Sequence, residues 1–197
     1  MPTILWTIGH STRGWPEFVE LLKAHGVRAL VDVRHFPSSR RFPQFNKALM
    51  ADALAAEGIE YIHEVDLGGR RKPQSNSPNT YWRHPQFRAY ADYLATPAYR
   101  GALERLMTIA RRQPTAIMCA EAVPWRCHRQ LIADSLGLCG FEVRHILTPT
   151  RADIHVLNSA IRIGENGQPY YPAIDSLPLY PAGGEPLSDE SIKTSRD

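Results

Sequence analysis

The segment CAEAVPWRCHR, residues 119–129, gathers two thiols (Cys119, Cys127), an imidazole (His128), a carboxylate (Glu121) and two guanidiniums (Arg126, Arg129). Thr115 to Ala120 reads as a buried strand, and Pro124 to Leu136 as the helix that follows, with Pro124 in its first turn. Free amides at a helix start favour an anion and lower the pKa of a cysteine placed there, so Cys127 is expected to be a nucleophilic or redox-active thiolate, helped by His128 and the arginines. The plainer alternative makes Cys119 a buried strand cysteine and Cys127 an inert helix residue. Cys139 reads as structural. A zinc site would draw on Cys119, Cys127, His128 and His10, but Cys-x7-Cys-His matches none of the usual zinc spacings, so no metal is expected. A phosphatase-type or sulfurtransferase loop also fits poorly, because six residues separate Cys119 from Arg126, one too many, and Glu121 would repel a bound phosphate. Glu121 and Asp32 instead suit general acid–base work on water or a sugar hydroxyl.

Similar polar groups follow three other apolar runs: His10-Ser11, Asp32 with Arg34, and Gly68-Gly69-Arg70. Taken singly each has a bland explanation, such as an Asp32–Arg34 pair or a glycine turn. Together they mark the carboxyl ends of successive strands, where open α/β sheets bind ligands. Arg34, Arg40, Arg70, Arg126 and Arg129 would then face an anion. The stretch Arg70 to Ala91 carries five basic residues (Arg70, Arg71, Lys72, Arg83, Arg88) and no acidic one, with Tyr81, Trp82, Phe87 and Tyr90 interleaved. That mixture suits a nucleotide-like partner, or a solvated loop followed by a helix whose aromatics pack the core. Arg34, Arg40, Arg41 and Lys47 form a second acid-free run.

The elements that must position these groups alternate along the chain. Strands are expected at Thr3–Ile8, Val27–Val33, Ile59–Val65, Thr115–Ala120 and Phe141–Leu147. Helices are expected from Pro16 to a glycine stop at Gly26, from an Asn46 cap to Gly58, through Phe87–Leu94, and from Thr96-Pro97 to about Arg112. Alternation of this kind implies a three-layer α/β domain with a mostly parallel five-stranded sheet and helices on both faces. Residues 1–148 form that domain. Six of the sixteen prolines lie in the last 49 residues, so 149–181 reads as an extension packed on the core, with a hairpin near Ile161–Gly167, and 182–197 as a weakly ordered tail. The segment Arg70 to Tyr81 reads as a surface loop able to close over an anion.

Composition bounds the rest. With 43% apolar and 22% charged residues and a formal net charge of +3, the chain has an ordinary globular balance. Its apolar runs are too short to cross a bilayer, its start lacks the features of a signal peptide, and three cysteines argue for a reducing cytoplasm over a disulfide scaffold.

Thr-Ile-Gly-His-Ser at 7–11, Asp-Val-Arg-x2-Pro-x-Ser-Arg at 32–40, Pro-Gln-Phe-Asn-Lys at 43–47, Leu-Gly-Gly-Arg at 67–70 and Cys-Ala-Glu-x5-Cys-His-Arg at 119–129 together resemble the domain-of-unknown-function 488 family, in order, over about residues 3 to 150. Members usually carry a charged pair soon after the glutamate, where this chain has Ala122 and Val123. The resemblance implies a single α/β domain in a bacterial or archaeal cytoplasm and treats the motif residues as one site. It names no reaction. The reading is therefore an enzyme acting on an anionic, phosphorylated or nucleotide-like substrate. Asp32, Glu121, Cys127 and His128 would be catalytic, while His10, Ser11, Arg34, Arg40, Gly68, Gly69, Arg70, Cys119, Arg126 and Arg129 would bind substrate. The alternatives are a non-catalytic nucleic-acid-binding module and a redox sensor built on Cys119 and Cys127.

Overall fold

Helices make every return between the first five strands, and that forces the strands to run parallel. The computed structural model describes residues 2–165 and 167–173. In chain order the elements are β1 (Ile4–Gly9), α1 (Trp15–Ala24), β2 (Ala29–Asp32), α2 (Lys47–Ala56), β3 (Glu60–His63), α3 (Pro85–Tyr93), α4 (Pro97–Arg112), β4 (Thr115–Cys119), α5 (Arg129–Leu138), β5 (Glu142–Thr148) and β6 (Arg151–Ile154). A short hairpin, β7 (Arg162–Ile163) and β8 (Pro169–Tyr170), follows near the expected place. The sheet order is β3-β2-β4-β1-β5-β6. Five strands are parallel and β6 is antiparallel to β5.

β4 is buried along its whole length and sorts its side chains by alternation. Ala116 and Met118 join the core beneath α1 and α2, with Phe18, Leu22, Phe45, Met50 and Leu54. Ile117 and Cys119 join the opposite core with Tyr90, Leu103, Leu106, Leu131 and Leu136 from α3, α4 and α5. The parallel register aligns Gly9 with Cys119, and Asp32 with both Met118 and His63. The strand-end residues singled out in the sequence therefore share one edge of the sheet.

The structure corrects the expected elements at three points. A sixth strand joins the expected five, because the turn at Pro149-Thr150 folds β6 back onto β5 as an edge hairpin. Asn46 precedes α2 but does not cap it, since its Oδ1 accepts from the Ser39 N–H at 2.6 Å. The expected helix from Pro124 is split, with a single 3-10 turn at Pro124–Arg126, an extended Cys127, and a helix that starts at Arg129 after an N-cap at His128. Cys127 thus lies just before the helix and not in its first turn. Beyond β6 the chain returns across the α5 face, where Tyr171 is fully buried and donates its hydroxyl to Asp134 Oδ2 (2.8 Å) and its backbone N–H to Asn79 Oδ1 (2.8 Å). The tail expected at 182–197, with the extension beyond residue 173, lies outside the described residues.

A hydrogen-bond relay ties β1, β5 and α5 together. Asp134 accepts from Tyr171 and from His155 Nε2 (2.9 Å), which leaves His155 Nδ1 as an acceptor for His145 Nε2–H (3.1 Å). His145 Nδ1 then accepts from the Thr7 hydroxyl (2.8 Å). Every donor in this chain has an acceptor only if His145 is neutral. Burial, with His155 and Arg129 nearby, holds its pKa down to about 4, against the opposing pull of Asp153 and Asp134. Since the unfolded chain binds the proton first, this contribution is fully present above pH 6.5 and is lost as the pH falls towards 4, to the extent of about 3 kcal/mol. Urea unfolding followed from pH 7 to pH 4 should show this loss in the parent chain and a correspondingly flatter profile in His145→Gln. Parallel profiles would remove His145 as the cause.

Candidate functional site

A cleft of about 610 Å³ opens above the carboxyl ends of β2 and β4. Each wall comes from a loop that leaves a strand end. Arg34, His35 and Phe36 follow β2, Gly69 and Arg70 follow β3, and Cys119, Ala120 and Glu121 end β4. Trp125, Arg126, Cys127 and His128 lead into α5, while His84, Gln86 and Phe87 come from the start of α3.

At its floor the ligand atoms of Cys119, Cys127 and His128 lie within 4.8 Å of one another. His128 Nδ1 is 3.7 Å from Cys127 Sγ and 4.0 Å from Cys119 Sγ. On the other side of the ring, Nε2 is 3.1 Å from the Val33 carbonyl. A carbonyl only accepts, so Nε2 carries a hydrogen and Nδ1 is the atom turned to the two sulfurs. Gly69 makes this orientation possible, because a Cβ there would sit 2.6 Å from His128 Nδ1. Tyr90 packs against the same ring, with centroids 4.9 Å apart.

Arg129 braces the cluster from below. It is 1% exposed, and its Nε donates to Cys127 Sγ at 3.4 Å, its Nη1 to the Thr7 hydroxyl at 3.2 Å, and its Nη2 to the Glu121 carbonyl. No carboxylate among the described residues forms an ion pair with it. Burial alone would push the Cys127 thiol up, but the Cys119 hydrogen bond together with His128 and Arg129 brings it well below the ordinary range. Cys119 moves the opposite way, raised by its bond to Cys127 and by burial. Of the two thiols, Cys127 beside the guanidinium is thus the one whose environment favours the thiolate.

The second buried cation is Arg34, and it is paired. Asp32 is fully buried and holds Arg34 Nη2 at 2.6 Å and Nε at 2.9 Å, while the Tyr61 hydroxyl donates to Asp32 Oδ2 at 2.7 Å. Arg34 also donates to the Phe45 carbonyl (2.8 Å), which ties the loop after β2 to the turn before α2. His10 stacks on Phe45 at 4.3 Å, gives its Nδ1–H to the Ser11 carbonyl and is held at a pKa of about 4, chiefly by burial.

The residues expected from sequence divide accordingly. Arg34, Gly69, Arg70, Cys119, Glu121, Arg126, Cys127 and His128 line the cleft. Asp32, His10, Ser11, Arg40, Gly68 and Arg129 do not. Asp32, His10 and Arg129 lie in the buried layer beneath it, and Arg40 is exposed elsewhere. Of the basic-stretch aromatics, Tyr90 is fully buried with its hydroxyl on the Leu67 carbonyl, and Tyr81, Trp82 and Phe87 pack against the core. The loop Arg70–Tyr81 has no helix or strand, yet Arg71 bonds Asp66 and Gly68 carbonyls and Ser77 and Asn79 bond Asp92. Sequence reading missed His35, Phe36, His84, Gln86 and Trp125. Phe36 and Trp125 are 62% and 65% exposed, large apolar side chains left at a cleft mouth. Their only signal in the sequence was proximity to Arg34 and Arg126.

The profile of the domain of unknown function DUF488 matches residues 14–136, and the chain belongs to that family. No curated protein and no solved structure matches the chain. No helix among the described residues is long and apolar enough to cross a membrane.

Two substitutions separate the buried frame from the cleft wall. Asp32→Ala leaves Arg34 buried without its partner and is expected to cost about 3–5 kcal/mol. Gly69→Ala drives a methyl into a ring that cannot retreat and is expected to cost about 1–3 kcal/mol. Urea unfolding reads both, and an unchanged midpoint for Asp32→Ala would show that the pair is not a structural anchor.

Proposed function

We propose that the protein is an enzyme that binds an anionic, phosphorylated or nucleotide-like substrate in the cleft above β2 and β4, with its reacting centre at Cys119, Cys127 and His128. The observation that carries this reading is the state of two arginines. Arg70 and Arg126 both line the cleft, and neither guanidinium has a hydrogen-bond or ion-pair partner among the described residues. The buried Arg34 is paired, and what sets Arg70 and Arg126 apart from the other unpaired arginines is that both border one cavity. Free guanidiniums facing a common cavity suit phosphate oxygens, which they can grip with two parallel hydrogen bonds.

Other groups divide the remaining work. Phe36 and Trp125 flank the mouth, with Arg70 over the Phe36 ring at 5.4 Å, an arrangement suited to a flat ring attached to the anion. His35 Nδ1 is buried without a partner on the same wall. Glu121 is the one acidic residue lining the cleft, and its exposed carboxylate makes no hydrogen bond among the described residues. In this reading Glu121 is the general base that takes a proton from water or from a substrate hydroxyl. Asp32, expected from sequence as a second catalytic carboxylate, is a positioning residue that fixes Arg34 and the loop after β2. The nucleic-acid module loses its stacking surface, because Tyr90 is buried and Trp82 stacks on Phe87 at 5.3 Å.

Calorimetry with inorganic pyrophosphate and with adenosine monophosphate tests the binding half of the reading. Binding is expected to weaken with salt and to fall at least tenfold in Arg70→Gln and in Arg126→Gln, about the worth of one charge-assisted hydrogen bond, with unfolding midpoints unchanged. Equal affinity in the parent and both variants would contradict it. Glu121→Gln is expected to keep pyrophosphate affinity and stability while abolishing turnover of any substrate found.

A further inference from the structure

We propose that Cys119, Cys127 and His128 hold a single zinc ion whose fourth coordination position opens into the cleft. With zinc–sulfur and zinc–nitrogen bonds of about 2.3 Å and 2.0–2.1 Å, tetrahedral angles set each sulfur about 3.6 Å from the nitrogen. The two separations here are 3.7 Å and 4.0 Å, and all three donor atoms fall within one 4.8 Å group. The two sulfurs, within 4.8 Å of each other, need to stand about 3.8 Å apart to complete three corners of the tetrahedron.

Three further features point to a metal and not to a chance cluster. His128 gives its Nε2–H to the Val33 carbonyl, the outer hydrogen bond that fixes a ligating imidazole in the tautomer with a free Nδ1. Arg129 donates to Cys127 Sγ, the matching support for a ligating thiolate. The glycine at position 69 lets the loop after β3 lie directly against the face of the His128 ring, which fixes the plane of the imidazole and so the direction in which Nδ1 points. Two thiolates and an imidazole in tetrahedral disposition favour zinc over the harder divalent ions. On binding, both thiols end as thiolates, and any proton still on them passes to solvent.

The sequence spacing hid this site because its ligands come from different elements. Cys119 ends β4, whereas Cys127 and His128 lie beyond a loop with a 3-10 turn, just before α5. Usual zinc spacings describe ligands on one tight turn or one helix. All three ligands border the cleft, so the fourth corner is reached from solvent, as in catalytic and not structural zinc sites. Only the use of that corner rests on the function proposed above: a zinc ion there would acidify a water bound at it, and Glu121, on the same cleft wall, is the carboxylate that would take the proton.

The full chain, produced with zinc in the medium and purified under reducing conditions, should carry one zinc per chain by elemental analysis. Cobalt(II) exchanged into it should give the intense visible bands of a tetrahedral ion and sulfur-to-cobalt charge transfer in the near ultraviolet. Cys119→Ser and Cys127→Ser should each retain less than a tenth of the metal, while Cys139→Ser retains all of it. His128→Cys should keep the metal and strengthen the charge-transfer band, and the cobalt spectrum of the parent chain decides the matter if a variant does not fold. Metal-free protein with no cobalt spectrum, a Cys119–Cys127 disulfide in its place, or zinc that survives both serine variants overturns the site. Pyrophosphate binding, measured on the same samples, separates the two ideas, since it depends on Arg70 and Arg126 whether or not the metal is found.

Discussion

Arg129 is a guanidinium cation at 1% exposure without a carboxylate partner among the described residues. Burying an unpaired cation is costly enough that its surroundings must answer it. Three acceptors do so: the Thr7 hydroxyl on β1, the Glu121 carbonyl in the loop after β4, and the Cys127 sulfur before α5. One strand, one loop and one helix start are therefore fixed by a single side chain. The approach is so close that a Cβ on Gly9 would sit 1.8 Å from the Glu121 carbonyl oxygen, and so β1 must end in glycine. Cys127 is the one acceptor in this set that can carry a negative charge, and its surroundings hold its pKa down. Its sulfur is thus part of the structural solution before it takes any part in chemistry.

Around this centre the fold places two buried frames with different work. Asp32, Arg34 and Tyr61 lock the loop after β2, and burial with the neighbouring Asp32 pushes the Tyr61 hydroxyl pKa up, so that it remains a donor. Asp134, His155, His145 and Thr7 form a polarised row that ends on the Arg129 guanidinium. Each frame finds its partners in the buried layer, and of its residues Arg34 alone also borders the cleft. The cleft wall, in contrast, carries Arg70, Arg126 and His35 Nδ1 unpaired. In the proposed reading, stability and ligand binding thus fall largely to different residues although both sit at one end of the sheet.

Much of this was legible in the sequence because it is local. Glycine stops, Pro16 and Pro97 at helix starts, and short apolar runs mark the alternation of strands and helices, and the alternation implies a parallel sheet. Parallel register then brings Gly9, Asp32 and Cys119 to one edge with no further information. The antiparallel β6 was not legible, since Arg151–Ile154 is a short edge strand with little burial to pattern it. Nor was the division between frame and wall. Asp32 ends β2 and Glu121 lies two residues past β4, the same kind of group at the same end of the sheet, and only the depth of Asp32 beside Arg34 and Tyr61 separates them. Cys127, His128 and Cys119 were visible as a cluster in the chain, but their convergence depends on an extended residue between a 3-10 turn and a helix, which propensity does not distinguish from a continuous helix.

The account depends most on the pairing of Arg129 with the Cys127 sulfur. A double-mutant cycle of Arg129→Met and Cys127→Ala, read by urea unfolding with a chelator present so that no metal contributes, measures that pairing directly. The account predicts that the two losses overlap by about 1–3 kcal/mol, as for a charged hydrogen bond in a buried site. Losses that add to within about 0.5 kcal/mol would mean that the buried guanidinium and the thiol do not sense each other, and would contradict it.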